Sequence, residues 1–476
     1  MTKYLVIVLM LFAVPCRADV RLPKILGSSM VLQRDSNVRI WGWADPSEQV
    51  TVAGDWGLEP VTTKADARGD WSVRIRTQGA GRAHVMTITG HNRIVLNDIL
   101  FGELWLASGQ SNMEMPLVKQ SGAYTGIRDY EREIAAANYP QIRLFQVGNF
   151  SSKEPREDVQ AGIVMYGIPP SDCRWKPCSP ANIPTFSATG YMFARELHRQ
   201  LHVPIGIIDA SWGGTSAECW TPVAGLEQLG YTKDVQNAKS LPRNADQKIP
   251  ARLYNGMIHP LRKLTIRGAI WYQGESNAGR ADKYRELFST MITQWRAAFQ
   301  TDFSFYFVQI APFNYGNVNA AFLREAQLQT MALPKTGIVV TMDLGNRTDI
   351  HPKNKQEMGR RLALWALAED YGKDVVCSGP LYKSSMFRDG KAIITFSHTG
   401  SGLTTKDGKA PSHFEIAGAD KVFNPATAMI ENDCIVVSCP QVPDPKAVRY
   451  AFTSTAMPNL MNGEGLPASS FRTDQW

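Results

Sequence analysis

The sequence predicts an α/β protein in which a parallel sheet, covered by helices on both faces, lies between two smaller β modules. Three observations predict it. Near-continuous apolar segments alternate with amphipathic stretches through the middle of the chain. Short segments in which apolar and polar residues exchange at every position occupy both ends. Glycine-containing polar motifs follow directly on several of the central apolar segments, where a parallel sheet places its ligand-binding loops.

The first residues carry a charge at Lys3, an apolar run from Tyr4 to Val14, and then Pro15-Cys16-Arg17-Ala18, the pattern of a secretory signal peptide cleaved after Ala18. The run is too short to span a bilayer, and no longer apolar run follows. An exported protein, periplasmic or secreted, is therefore expected. At 476 residues, with 44% hydrophobic and 20% charged content, the chain is long enough for two or three folded units and is far from the disordered class. The net charge of +7 is spread along the chain without a block of like charge, which argues against a nucleic-acid partner.

Residues 19–100 are expected to form an N-terminal β domain. Trp71-Ser72-Val73-Arg74-Ile75-Arg76 alternates as a half-buried strand does, and similar segments lie at Val38–Ala44, Val85–Thr89 and Ile94–Leu96. Residues 101–374 form the α/β domain. Its strands are placed at Phe101–Ala107, Ile205–Ile208, Gly268–Tyr272, Phe303–Ile310 and Gly337–Met342. Its helices are placed at Ala188–Leu201, Lys283–Phe299, Ala320–Met331 and Lys355–Glu369, and a flavodoxin-like order is expected. Residues 375–476 return to short strands, at Ala392–Phe396, Phe414–Ile416, Ile435–Val437 and Val448–Phe452, and close the chain as a second β domain.

Beyond the leader, an oxidising compartment would favour disulfides, with Cys173 and Cys178 the expected pair. Cys434 and Cys439 bracket a strand and stand about 16 Å apart, too far to bond. Cys377 is the better partner for either.

Four motifs carry the chemistry. Ser108-Gly109-Gln110-Ser111-Asn112-Met113-Glu114 puts a serine in a tight turn between a strand and a helix, a geometry that exposes a nucleophile. It lacks the G-x-S-x-G pattern of the α/β-hydrolase elbow. Ser211-Trp212-Gly213-Gly214-Thr215-Ser216 offers backbone N–H groups of Gly213 and Gly214 that can hold an oxyanion together with the Ser111 N–H. Trp271-Tyr272-Gln273-Gly274-Glu275-Ser276-Asn277 supplies a side-chain amide, Gln273, for the same anion. Asp343 to Pro352 supplies His351 as base, with Asp349 two residues before it as orienter.

Taken singly, each motif has an ordinary reading. A serine beside glycine is a common turn residue, Gly213-Gly214 suits any turn with positive φ, and Glu275 and Glu114 suit buried hydrogen-bond partners. His198 and His202 stand four apart but lack the glutamate of a zinc-protease helix, since Arg199 follows His198. His259 is the rival base, disfavoured because it does not follow a strand. Trp212, Trp220 and Trp271 are candidates to stack on sugar faces or to fill the core.

The four motifs in this order resemble the sialate O-acetylesterase family, a branch of the SGNH hydrolases. The similarity extends to Leu22-Pro23 through Gln33, to Tyr254-Asn255-Gly256-Met257, and to the closing Asn462-Gly463-Glu464-Gly465-Leu466-Pro467-Ala468 with Phe471-Arg472-Thr473-Asp474. The resemblance implies an SGNH hydrolase core and a serine esterase that removes O-acetyl groups from sialic acids through an acetyl-enzyme. It implies Ser111 as nucleophile, His351 as base, Gly213, Gly214 and Gln273 as oxyanion donors, and Asn112 as the residue shaping the serine turn. Arg347 is a candidate for a sialic carboxylate. The expected partner is an O-acetylated sugar, and the chemistry requires neither metal nor organic cofactor. One departure stands out: SGNH enzymes commonly place the aspartate three residues before the histidine, where this chain has Thr348, so either Asp349 or a backbone carbonyl orients the imidazole. The alternatives are an acetylesterase acting on xylan or pectin and, in another class, a non-catalytic carbohydrate-binding protein, whose mark would be loss of Ser111 or His351.

Overall fold

The computed structural model describes residues 19–163, 170–241 and 247–476. The expected leader at residues 1–18 lies outside the described residues. Among those residues no helix is long and apolar enough to cross a membrane.

The centre of the molecule is a mostly parallel sheet. Its strands follow the order Thr336–Val339, Ser304–Val308, Gly268–Tyr272, Arg93–Gly109, Ile205–Ser211, Tyr139–Gln146, with Trp175–Cys178 antiparallel at the edge. The five strands expected from the sequence stand in the order 2-1-3-4-5, which is the flavodoxin-like arrangement. Tyr139–Gln146 and its antiparallel neighbour were not expected.

Side chains on successive residues of each strand enter opposite layers. Leu104, Leu106, Ala269 and Trp271 pack into one core layer, whereas Trp105, Ala107, Ile270 and Tyr272 pack into the other. Every residue of Gly268–Tyr272 and Ile205–Ser211 is buried, as a sheet covered on both faces demands. Helices Ala188–Leu201 and Lys355–Glu369 pack together on one face, and Ala281–Phe299 packs with Ala321–Gln329.

The N-terminal strands do not stand apart from this sheet. Arg93–Gly109 is a single strand of 17 residues whose first half pairs with His84–Thr89 and whose second half is the central strand of the parallel sheet. Val31–Gln33 pairs alongside it. Apolar residues from Val20 to Ile99 consequently share one core cluster with Phe101 to Ile338.

After the Lys355–Glu369 helix, short antiparallel sheets return and enclose their own cluster around Phe414, Tyr450 and Phe471. The closing segment is clamped to the sheet. Gln309 donates to Ser469 Oγ at 2.9 Å, Arg324 to Ser470 Oγ at 3.2 Å, and Arg472 pairs with Glu325 at 3.0 Å.

The expected Cys173–Cys178 disulfide is not formed. Both thiols are unlinked; Cys173 donates to the Gln160 carbonyl and Cys178 to that of Ala137. Cys178 belongs to the edge strand, whose pairing with Tyr139–Gln146 the sequence reading missed, and that pairing directs the two thiols to different surroundings. Cys377, Cys434 and Cys439 are free as well.

Candidate active site

The central strand ends at the switch point of the sheet, with its successors leaving to either side. Gly109, its last residue, is in register with both Ser211 and Tyr272, so three loops start at one level. Gln110 N–H donates to the Tyr272 carbonyl at 2.9 Å, and Trp212 N–H to the Gly109 carbonyl at 3.0 Å. Gly109 has φ +142°, and a Cβ there would lie 2.1 Å from the Tyr272 oxygen, so no larger residue fits.

Ser111 begins a single helical turn, Ser111–Glu114. The first amides of such a turn have no partner within it. The turn is held from below: Ser187 Oγ donates to the Met113 carbonyl at 2.6 Å and Thr189 Oγ1 to that of Asn112 at 3.1 Å.

Asn112 is fully buried and joins four segments. Its Nδ2 donates to Glu275 Oε1 at 2.6 Å and to the Ile350 carbonyl at 3.0 Å, and its Oδ1 accepts from Lys355 Nζ at 2.7 Å. Ile350 immediately precedes His351, so this asparagine fastens the serine turn to the histidine loop.

Among the described residues the Ser111 hydroxyl and the His351 imidazole are not hydrogen-bonded to each other; Tyr124 adjoins the surroundings of both. Its ring meets that of His351 edge-on at 5.1 Å between centroids. A Cβ built on Gly213 would lie 3.2 Å from the Tyr124 hydroxyl and 3.3 Å from Ser111 Cβ. Catalytic contacts are commonly open in the unliganded state and tighten on substrate.

Burial, followed by the nearby Lys355 cation, pushes His351 down to about 4, against the opposing pull of Asp349. The imidazole is therefore neutral at pH 7, the state a base requires. Asp349 does not bond the ring as expected. Its Oδ1 accepts the backbone N–H of His351 at 2.9 Å and stands 3.8 Å from Nδ1, because the i to i+2 spacing lets the carboxylate fold back on the main chain.

Three other expectations are corrected. The Gly213 N–H is already committed to Glu114 Oε2 at 2.8 Å. Gln273 is fully buried, and its amide donates to Asn277 Oδ1 at 2.7 Å, Gln110 Oε1 at 3.2 Å and the Thr215 carbonyl at 3.2 Å, while Oε1 accepts from Tyr284 at 2.9 Å. It ties three loops together rather than facing the serine. Trp212 is 3% exposed and sits in the core with Trp220 and Trp271, so none of these rings offers a face to a sugar.

Gly214 is exposed with φ +70°, and Arg347 is exposed on the histidine loop. Glu275 is half-buried, and burial raises its carboxyl; Oε2 is sealed from solvent without a partner. His259 Nδ1 lies within bonding distance of the Arg262 guanidinium and the Arg156 carbonyl, apart from these loops, and His198 bonds the Val203 carbonyl at its helix end.

The sequence reading missed Tyr124, Asn149 and Lys355. Glu114 Oε1 accepts from Asn149 Nδ2 at 2.8 Å and Oε2 from Tyr124 at 2.9 Å, and burial pushes this carboxyl up. Tyr124 and Asn149 stand in loops without a strand-end signal; Lys355 opens a recognised helix, where a lysine reads as surface.

A parallel sheet of this order, with a serine turn at its switch point and a histidine loop beyond its last strand, defines the class of SGNH-type carboxylic ester hydrolases. Residues 102–368 match the family model described as carbohydrate esterase, sialic acid-specific acetylesterase. Sialate O-acetylesterase of Homo sapiens is 32% identical over 415 residues, covering 79% of this chain and 76% of that one. The Mus musculus sialate O-acetylesterase is 30% identical over 420 residues, covering 76% of each. The crystal structure of a novel carbohydrate acetylesterase from Xanthomonas citri superposes with a TM-score of 0.85 at 40% identity, covering 96% of this chain and all of that one. The chain belongs to the sialic acid-specific acetylesterase family of carbohydrate esterases.

Proposed function

We propose that this protein is a sialate O-acetylesterase in which Ser111 attacks the acetyl carbonyl of the substrate and His351 takes the serine proton. An acetyl-enzyme forms as the sugar hydroxyl leaves with that proton, and water, activated by the same imidazole, releases acetate. The observation that carries the reading is the Asn112 side chain bonded to the Ile350 carbonyl, because it couples the serine turn to the histidine loop across 238 residues of chain. The Ser111 and Gly214 amides are the oxyanion donors in this reading, since Gly213 and Gln273 have other partners. Asp349 acts through the backbone of His351. Glu275 and Asn112 support the serine turn.

Another acetylated carbohydrate, for which acetylated xylan stands, is the second reading, because the Xanthomonas citri structure at 40% identity is that of a carbohydrate acetylesterase. Arg347 separates the two, being exposed on the histidine loop where a sialic carboxylate can reach it. The test measures acetate release from O-acetylated sialic acid and from acetylated xylan by the wild type, Ser111→Ala and Arg347→Ala. Activity that survives Ser111→Ala removes the nucleophile assignment. A rise in KM on sialic acid alone for Arg347→Ala supports the sialate reading, whereas activity on xylan only replaces it. Export belongs to the same proposal: a mature chain beginning at Asp19, read by mass spectrometry, is the expected product.

A further inference from the structure

Lys355 is placed against the usual preferences of a lysine. It is fully buried, it opens the helix Lys355–Glu369, where the helix dipole opposes a cation, and among the described residues its ammonium bonds no carboxylate directly. Its Nζ instead donates to Asn112 Oδ1 at 2.7 Å and lies 4.9 Å from the centre of the Tyr272 ring. Such a placement costs several kcal/mol unless other interactions offset it. A neutral side chain would fill the same space more cheaply, so the charge itself has a use.

We infer that Lys355 is a positioning residue of the esterase: through Asn112 it locks the serine turn onto the histidine loop, and it brings a cation to the His351 side of that junction. The inference rests on the Ser111–His351 reading above and adds to it a group that holds the histidine loop in place. Asn112 can donate to both Glu275 and the Ile350 carbonyl only if its oxygen faces the other way, and Lys355 fixes that orientation by bonding the oxygen. The charged groups around the pair are few. Glu275 faces Lys355 from the loop after Gly268–Tyr272, and Asp349 and His351 face it from the histidine loop. Glu114, bonded to Tyr124, stands behind the ring that meets His351. On the lysine's own helix, Glu357 is occupied by Arg360 and Arg361. Burial brings Lys355 down to about 7, so its charge is within reach of ordinary pH changes.

The experiment is the pH profile of kcat/KM on an aryl acetate for the full-length wild type, Lys355→Met and Asp349→Asn. The acid limb reports protonation of the free base. Removing a cation raises the pKa of a nearby imidazole, so Lys355→Met moves that limb up by about one pH unit and lowers kcat about tenfold or more. Removing the carboxylate in Asp349→Asn moves it the other way. A lysine that merely filled space would lower the rate and leave the limb where it was; an unmoved limb in folded Lys355→Met overturns the inference. If Lys355→Met does not fold, the His351 ring is titrated by NMR in full-length Ser111→Ala. A midpoint that rises when Lys355→Gln is added to this background supports the inference, and one that stays put overturns it. Loss of all activity in Ser111→Ala with an unmoved limb in Lys355→Met retains the nucleophile and discards only the lysine's role.

Discussion

Glu114 Oε2 accepts the backbone N–H of Gly213 at 2.8 Å, and the same oxygen accepts the Tyr124 hydroxyl at 2.9 Å. One carboxylate thereby anchors the loop after Ile205–Ser211 and the ring that lies edge-on to His351. Glu114→Gln keeps the volume but offers one acceptor oxygen where the carboxylate offers two, so either Asn149 or the Tyr124–Gly213 pair must face an N–H. The expected result is a loss of about tenfold or more in kcat/KM, with substrate binding less affected, read from Michaelis kinetics on an aryl acetate. Unchanged kinetics would mean that the loop holds its place without the carboxylate.

Gln273 is the residue for which sequence and structure give different predictions. An oxyanion donor, once removed, costs about a hundredfold in kcat and little stability. A buried clamp, once removed, takes its donor from the Thr215 carbonyl and one of two partners each from Asn277 Oδ1, which keeps the Ala217 N–H, and the Tyr284 hydroxyl, which keeps the Gln273 carbonyl. Gln273→Ala is accordingly expected to lose about 2–4 kcal/mol of unfolding free energy, measured by urea denaturation. A fully stable variant with a hundredfold lower kcat would restore the donor role.

The architecture was legible where periodicity is strong. The Ala188–Leu201, Gly268–Tyr272 and Lys355–Glu369 elements have the bounds that the apolar spacing predicts. Tyr139–Gln146 was not legible, since its exposed first half, Pro140 and Gln141 included, dilutes the apolar signal of a buried strand. The site divides in the same way. The proposed nucleophile Ser111 lies just past a strand end and the proposed base His351 in the loop beyond the last strand, and local motif chemistry is what points to both. What holds them, Lys355 reaching Asn112 from 243 residues away and Tyr124 reaching Glu114, depends on which side chains tertiary packing turns inward. No local pattern encodes that.

The cysteines give a prediction with a simple readout. Cys173 and Cys178 donate to separate carbonyls, and burial raises both thiols, Cys178 to about 12, so neither is a ready thiolate. Thiolate is the species that forms and exchanges disulfides. The melting temperature is expected to be the same with and without a reducing agent, and peptide mapping under non-reducing conditions to recover the two cysteines unlinked. A crosslinked peptide joining them would contradict this.

His351 links activity and stability through pH. Its folded value near 4 lies below the 6.5 of an unconstrained imidazole, so the unfolded chain binds the proton more readily than the folded one between those two values. Stability should therefore fall as pH drops from about 6.5 toward 4, and this group should add no further loss below that. The contribution is at most about 3 kcal/mol, less solvent screening, because the side chain is 19% exposed. Neutral over the same range, the imidazole can still accept a proton from Ser111, so the acid limb of kcat/KM is expected near pH 4 to 5 rather than 6 to 7. Urea midpoints of the wild type and His351→Gln, compared from pH 4 to 8, isolate the stability component, which is present only in the wild type. An acid limb near 6.5 would show instead that the ring is solvated or paired with a carboxylate before the chemistry begins.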